Sequence, residues 1–451
     1  MKKIHPYLII LISFLAVILM GSIMLSMPFA SKSNESIGFI NALFMSTSSV
    51  CVTGLSVMPN GLINDLTIFG NIVMVILMQI GGLSFITIAV FFFTVLGGKL
   101  GIVDAFLLKE SLNQNSFKGL LNLVKKIMLV SFLVQGVCSF INVFPIYEYV
   151  TITNQYKNPL LSSFAISIFH SAASFNNAGF DLFGSNSMEF FSSSSTIISK
   201  TSIILINSTT IFMIVIGGIG FTVILDVLKN KKWKKFSLHT KITLLATLML
   251  IIGGMILVKL TSDMSILDSL FTSVTSRTAG FATYNMSKLE SFPATYLIII
   301  LLMIIGASPC STGGGIKTTT FAVLILSIIS YAKGKKTKVF NRKIGEGQIF
   351  KAYALVVVAM MIVMIATILI SISQPNLGFQ KIFFEVVSAF STTGLSMGIT
   401  PNLNIFCKLI IIILMFLGRI GPLTVIGLVN KNWMASTNEK VQYVEEGVII
   451  G

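Results

Sequence analysis

Stretches of uncharged, apolar residues recur from one end of this chain to the other, and they restrict what it can become. Residues 7–23, 72–96 and 294–307 contain no Asp, Glu, Lys or Arg. They are long enough, or nearly so, to cross a hydrocarbon core roughly 30 Å thick. Of the 451 residues, 54% are hydrophobic and only 11% are charged, against about a quarter charged in a typical water-soluble domain. The pattern is that of an all-α polytopic membrane protein. Residues 1–30 read as a first retained helix rather than a cleaved signal. Lys2 and Lys3 lead it, but no small-residue cleavage motif follows.

The four cysteines, Cys51, Cys138, Cys310 and Cys407, all lie in apolar segments and form no C-x-x-C pair. Together with three scattered histidines they point to packing, not to disulfides or zinc. The net charge of +16 is patterned in a way that argues against nucleic acid. Most Lys and Arg fall near the chain ends or in three loops, 99–126, 229–241 and 333–351. Such a bias puts those loops and both termini on the cytoplasmic side. Basic loops of this kind also attract anionic lipid or an acidic partner surface.

Internal repetition is the next signal. Four stretches align on a glycine: FMSTSSVCVTGLS (44–56), FHSAASFNNAGFD (169–181), LFTSVTSRTAGFA (270–282) and FEVVSAFSTTGLS (384–396). Gly54, Gly179, Gly280 and Gly394 each follow Thr or Ala and precede Leu or Phe. A glycine-rich break follows in each case: QIGGLSF (79–85), VIGGIGF (215–221), IIGASPC (304–310) and FLGRIGP (416–422). The apolar part before each glycine, such as 37–52, is too short to span and reads as re-entrant. The expected architecture is therefore eight transmembrane helices plus four re-entrant pore helices. They form four M1–P–M2 repeats around a pseudo-fourfold pore, all in one orientation. The expected divisions are 1–98, 99–230, 231–335 and 336–430, with a cytoplasmic tail at 431–451. Residues 231–335 contain a broken M2 with a gating loop at 306–320.

Irregular backbone at membrane depth is tolerated only where it is buried in protein or lines a wet cavity. Glycine turns free carbonyl oxygens to point inward without a Cβ clash, and rings of carbonyls can replace the hydration shell of K+. The expected selectivity filter comprises Val52, Thr53, Gly54 and Leu55; Asn177, Ala178, Gly179 and Phe180; Thr278, Ala279, Gly280 and Phe281; and Thr392, Thr393, Gly394 and Leu395. K+ is expected at these residues as substrate, and no other metal site is read. The competing reading, small residues that merely let helices pack closely, suits one copy better than four matched copies.

The stretch 306–320 reads GASPCSTGGGIKTTT, which cannot remain a regular helix. A polar loop beneath a filter is placed to obstruct ions. The expected gate is Gly306, Ala307, Ser308, Cys310, Ser311, Thr312, Gly313, Gly314, Gly315 and Lys317, together with Arg419. Arg419 occupies the repeat position of Gly82, Gly218 and Ala307, so it is expected near the loop at the pore axis, either as an electrostatic barrier or through an ion pair or carbonyl contacts that merely pack helices. Lys317 is expected to snorkel or to repel cations. A nucleotide P-loop is excluded because Ile316 separates Gly315 from Lys317. Asp181, just after the second glycine, either concentrates cations at the mouth or is a solvated loop carboxylate. Arg277 is expected to pair with a nearby acid, and Asn176 and Asn177 to hydrogen-bond behind the filter or contribute a carbonyl.

Taken together, VTGLS, FNNAGFD, SRTAGF, STTGLS, SPCSTGGGIKTTT and GRIGPLT resemble the Trk/Ktr/HKT superfamily of K+ transporters, most closely its KtrB/KtrD membrane subunits, over nearly the whole chain. The resemblance implies K+ selectivity, because all four filter glycines are present; serine at the first position goes with Na+ permeation in that superfamily. It also implies that 306–320 is an intramembrane gating loop, with Cys310 replacing a usual glycine. It further implies a homodimer in the cell membrane on a cytosolic KtrA/KtrC-type ring that binds ATP or ADP. This chain has no GxGxxG unit of its own, so it is expected to bind no cofactor itself. A Na+- or H+-coupled symporter is the alternative and calls for mid-membrane carboxylates; Asp65, Glu148, Asp263 and Asp268 all read as lying near outer ends. A membrane-embedded enzyme has no nucleophile–base or metal set to draw on.

Overall fold

The computed structural model describes residues 6–84, 87–88, 90, 120–154, 157–184 and 187–421. Residues 1–5, 91–119 and 422–451 lie outside the described residues, with every expectation placed on them. The main helices are α1 (Pro6–Ser26), α2 (Phe39–Val50), α3 (Ile68–Leu83), α4 (Leu120–Thr153) and α5 (Pro159–Asn176). Next come α6 (Lys200–Ile219), α7 (Phe221–Asn230), α8 (Leu238–Thr261), α9 (Ile266–Thr275) and α10 (Pro293–Ile304). The last are α11 (Thr318–Ala332), α12 (Glu346–Ser373), α13 (Phe379–Ser391) and α14 (Ile405–Ile420).

Local chemistry sets the helix starts. The side chains of Thr67, Ser199, Ser237, Ser265 and Asn404 each accept a first-turn backbone N–H. Pro159 and Pro293 open α5 and α10, where a missing N–H costs nothing. Four helices are long and apolar enough to cross a membrane by length and composition: Leu121–Thr153, Lys200–Ile219, Leu238–Thr261 and Glu346–Ser373. Others are cut short by the glycine breaks. Gly220, at φ +98°, separates α6 from α7, and α10 stops at Ile304, thirteen residues before α11. The expected break at 306–320 is trimmed at its end, because Thr318, Thr319 and Thr320 form the first turn of α11.

The packing is inside-out relative to a water-soluble protein. Large aliphatic and aromatic side chains face outward on the long helices, for instance Phe132, Phe140 and Phe144 of α4 and Met361 and Ile365 of α12. Small polar residues fill the centre: Ser46, Ser48, Ser174, Thr272 and Ser388 are buried. A large exposed apolar surface of this kind is stable only against hydrocarbon. The short helices α2, α5, α9 and α13 form the interior, each packed between two longer ones. α2 lies against α1 and α3, α5 against α4 and α6, α9 against α8 and α10, and α13 against α12 and α14. Contacts also run onward, α3 to α5, α6 to α9, α10 to α13 and α14 back to α2, so the cycle closes. The basic stretch before α12 folds into an antiparallel hairpin, Lys338–Val339 on Arg342–Lys343.

Candidate functional site: a ring of glycine turns and the loop against it

Each interior helix ends in the same backbone device. Val52, Asn177, Thr278 and Thr392 take positive φ of 57°, 57°, 81° and 52°, and the glycines two residues on take 98°, 68°, 82° and 90°. Such a conformation is costly for β-branched Val and Thr and persists only where the surroundings enforce it. Backbone N–H groups are tied back to the helix: Thr53 N to Ser48 O, Ala178 N to Ala173 O and Thr393 N to Ser388 O, each at 2.8 Å. Gly54 N and Gly394 N donate to Ser48 Oγ (3.1 Å) and Ser388 Oγ (3.0 Å). The third copy is wound differently, with Ala279 N bonded to Thr275 O at 2.9 Å.

The four turns meet. A Cβ placed on Gly54 lies 2.6 Å from Ala178 O and 2.9 Å from Gly179 Cα. On Gly179 it lies 2.8 Å from Ala279 O and 3.0 Å from Gly280 Cα. On Gly280 it strikes Thr393 O and lies 3.2 Å from Gly394 Cα; on Gly394 it strikes Thr53 O and lies 2.9 Å from Gly54 Cα. Each glycine thus abuts the carbonyl just before the next, and the sequence of contacts returns to its start. On one side the four glycines line a funnel of about 320 Å³, with Asp181, Ser396 and Thr400 on its wall.

The loop between α10 and α11 presses against the other side. Gly314 N donates to Thr392 Oγ1 at 3.0 Å, a Cβ on Gly313 would strike Thr278 Oγ1, and one on Gly315 would lie 3.1 Å from Ser391 O. The three consecutive glycines are needed for this approach. Loop atoms are also pinned to the α6–α7 break: Ser308 N to Gly218 O (3.0 Å), Thr312 N to Gly217 O (3.2 Å) and Phe221 N to Cys310 O (3.0 Å). Within the loop, Ser311 Oγ donates to Ser308 O at 2.6 Å and Ala307 O accepts from Thr318 N. Elsewhere the first glycine of each break fits against an interior-helix carbonyl, Gly81 on Val50 O, Gly217 on Phe175 O and Gly418 on Phe390 O; Gly306 meets Gly314 O instead. The loop has taken the place that the interior helix holds in the other three copies.

Arg419 sits beside the loop, where repeat position puts it. Arg419 Nη1 donates to Thr312 O and its Nη2 to Gly81 O, so one guanidinium joins the loop to the end of α3. Lys317 Nζ does not snorkel away but turns back on the loop, donating to Gly313 O at 2.7 Å. Cys310 has φ +57°, a reason for glycine to be the easier residue there. Asn176 Nδ2 donates to Gln79 Oε1 (3.0 Å) and Ala172 O (2.8 Å), bracing α5 on α3. The Asn177 amide, oriented to donate, reaches Ser174 O and Ile214 O.

Two readings change. Arg277 is buried, yet among the described residues it has no ion-pair partner, and its Nε has no hydrogen-bond acceptor. The expected acid does not come near because the acids neighbouring it in sequence are engaged elsewhere: Asp268 accepts from Ser193 N and Ser265 Oγ, and Asp263 from Tyr284. Asp181 is no freely solvated carboxylate. It accepts from Phe183 N (3.1 Å) and Ser187 Oγ (2.6 Å) while lining the funnel. Sequence reasoning also missed Glu385, which is 1% exposed inside α13. An acid one residue after the Phe that opens the fourth aligned stretch was its only signal.

An inside-out helical cycle with four glycine turns meeting at its centre and a polar loop against them defines a helical membrane protein. The TrkH family model, described as a cation transport protein, matches residues 3–262 and 236–437, and the chain belongs to that family. It is a transporter family of multi-pass membrane proteins, not one of enzymes. The chain is 38% identical to Ktr system potassium uptake protein B of Bacillus subtilis, over 93% of this chain and 92% of that protein. It is 35% identical to the potassium/sodium uptake protein NtpJ of Enterococcus hirae, over 100% and 98%. It also resembles the crystal structure of the potassium transporter TrkH from Vibrio parahaemolyticus, with a TM-score of 0.70 at 18% identity over 96% of this chain and 86% of that one.

Proposed function

We propose that the chain is the K+-translocating pore subunit of a K+ uptake system. It is built from four M1–P–M2 units around a pseudo-fourfold axis, with the divisions at 98, 230, 335 and 430. The observation that carries this reading is the closed glycine contact cycle, Gly54 to Gly179 to Gly280 to Gly394 and back. It brings four carbonyl-bearing backbones to one axis, where they can stand in for water around a dehydrated K+. The funnel is the outer mouth. The basic hairpin and loops lie in the cytoplasm with both termini, as the positive-inside rule requires, and the membrane is the cell membrane.

The loop 306–317 with Lys317 and Arg419 is the gate. It fills the space below the turns, and its two cations oppose a third in the same place. Opening requires the loop to leave Thr392 and the α6–α7 break. These are a few hydrogen bonds of about 1 kcal/mol each, a load that a partner's conformational change can supply. That partner is a cytosolic KtrA/KtrC-type ring responding to ATP or ADP, on which two copies of this chain assemble.

The reading is tested by expressing the chain, with and without a ring partner, in cells lacking K+ uptake. Restored growth at low external K+, with K+ flux exceeding Na+ flux, is expected. Absence of K+ uptake in the presence of the partner overturns it. The E. hirae relative's name includes sodium, so the flux measurement carries a Na+ arm; uptake that requires Na+ selects the symporter instead.

A further inference from the structure

The funnel wall beside the fourth turn contains a buried carboxylate that the translocation reading does not use. Glu385 lies in α13, nine residues before Gly394. Ser396 Oγ–H donates to its Oε2 at 2.7 Å and Thr400 Oγ1–H donates to its Oε1. Both hydroxyl residues line the funnel.

A hydroxyl has one proton and two acceptor sites. With its proton on Glu385, Ser396 Oγ is left as an acceptor, and it takes the N–H of Gly398 (3.0 Å). Thr400 Oγ1 is 3.1 Å from Ser396 Oγ, but its proton is held by the shorter contact with the carboxylate. A carboxylate that accepts from both hydroxyls therefore leaves neither with a proton to turn toward the mouth. The second copy repeats the device: Ser187 Oγ–H donates to Asp181, and both line the funnel. The residue two after each glycine is Ser56, Asp181, Ala282 or Ser396. In the three that carry a side-chain oxygen, that oxygen accepts the N–H of Met58, Phe183 or Gly398.

We propose that Glu385 is a positioning residue that orients Ser396 and Thr400, so that their oxygens form a cation-binding wall at the pore mouth above Gly394. The inference rests on the pore reading. Carbonyl oxygens of the glycine turns strip the ion; oxygens with committed protons select for positive charge before it arrives. Without the carboxylate, either hydroxyl is free to turn its proton outward and present a positive end to the ion.

The test uses the full-length chain with its ring partner in vesicles, with K+ and Rb+ as probes. Glu385→Gln keeps the shape but offers only one acceptor oxygen, so one hydroxyl loses its acceptor. The K+ concentration giving half-maximal uptake should rise roughly fivefold, equivalent to about 1 kcal/mol. S396A/T400V should give a similar rise, and adding E385Q to it should give no further rise. Rb+ should follow K+. A folded E385Q protein with wild-type half-saturation overturns the inference, as does a triple variant whose rise is the product of the separate rises. If E385Q does not fold, unchanged half-saturation in S396A/T400V overturns it alone. Absence of K+ uptake by the wild-type chain overturns the pore reading instead.

Discussion

Replacing Gly54 by Ser tests the glycine ring most directly. A Cβ at this position stands 2.6 Å from Ala178 O and 2.9 Å from Gly179 Cα. To reach an ordinary contact of 3.4 Å the neighbouring turn must retreat by about 0.8 Å, which is large for a site whose selectivity depends on oxygen positions. Neither neighbour is a flexible side-chain tip; both are backbone. Residue 54 must also hold φ +98°, which costs a non-glycine residue on the order of 1–3 kcal/mol. The strain is relieved by moving the carbonyls of Thr53 and Ala178, so the loss falls on K+ coordination. Selectivity is a difference of two affinities, and one to two kcal/mol of misplacement alters it by roughly tenfold. Paired K+ and Na+ uptake by the wild-type and G54S chains should therefore show the K+/Na+ ratio falling by about that factor, with the Na+ arm gaining. An unchanged ratio in a folded, membrane-inserted G54S protein refutes the argument that Gly54 belongs to a filter.

Arg419→Ala removes the bonds to Thr312 O and Gly81 O, so K+ flux without the ring partner should rise several-fold; deletion of 313–315 should do the same in that assay. Cys310→Gly relieves a left-handed cysteine and should stabilise the closed loop by about 1 kcal/mol, read as a higher melting temperature of the purified protein and lower basal flux. Gly418→Ala drives a methyl into Phe390 O and should destabilise the fold by about 1–3 kcal/mol, seen as a lower melting temperature. Asn176→Ala leaves Gln79 without its α5 partner and should cost about 1–2 kcal/mol, measured by the same melt.

Much of this arrangement was legible without coordinates because glycine, proline and hydroxyl residues act locally. VTGLS and its three counterparts predict backbone breaks, and each is a left-handed residue followed by a positive-φ glycine. The GASPCSTGGG stretch predicts a broken helix, and α10 stops at Ile304. Arg419 was placed near the loop by repeat position alone, because equivalent positions in repeats face equivalent neighbours. The readings that failed concern what surrounds a buried cation. Arg277 is assigned an acid that its surroundings do not supply, and of the two roles read for Lys317, snorkelling and repelling cations, the first gives way because the loop's own carbonyls hold Nζ. Glu385 went unnoticed because a lone acid in an apolar helix does not reveal what faces it.

Composition and periodicity by themselves determined that this chain is a helical membrane protein with four matched interruptions, since hydrocarbon tolerates unsatisfied backbone poorly and glycine marks where the helix must yield. Tertiary structure alone decided that the interruptions meet in a closed cycle and that the loop replaces an interior-helix carbonyl at Gly306. It also decided that Ser396 and Thr400 turn their protons onto Glu385. Those facts depend on atoms of separate segments lying within about 3 Å of one another, and sequence spacing carries no record of that distance.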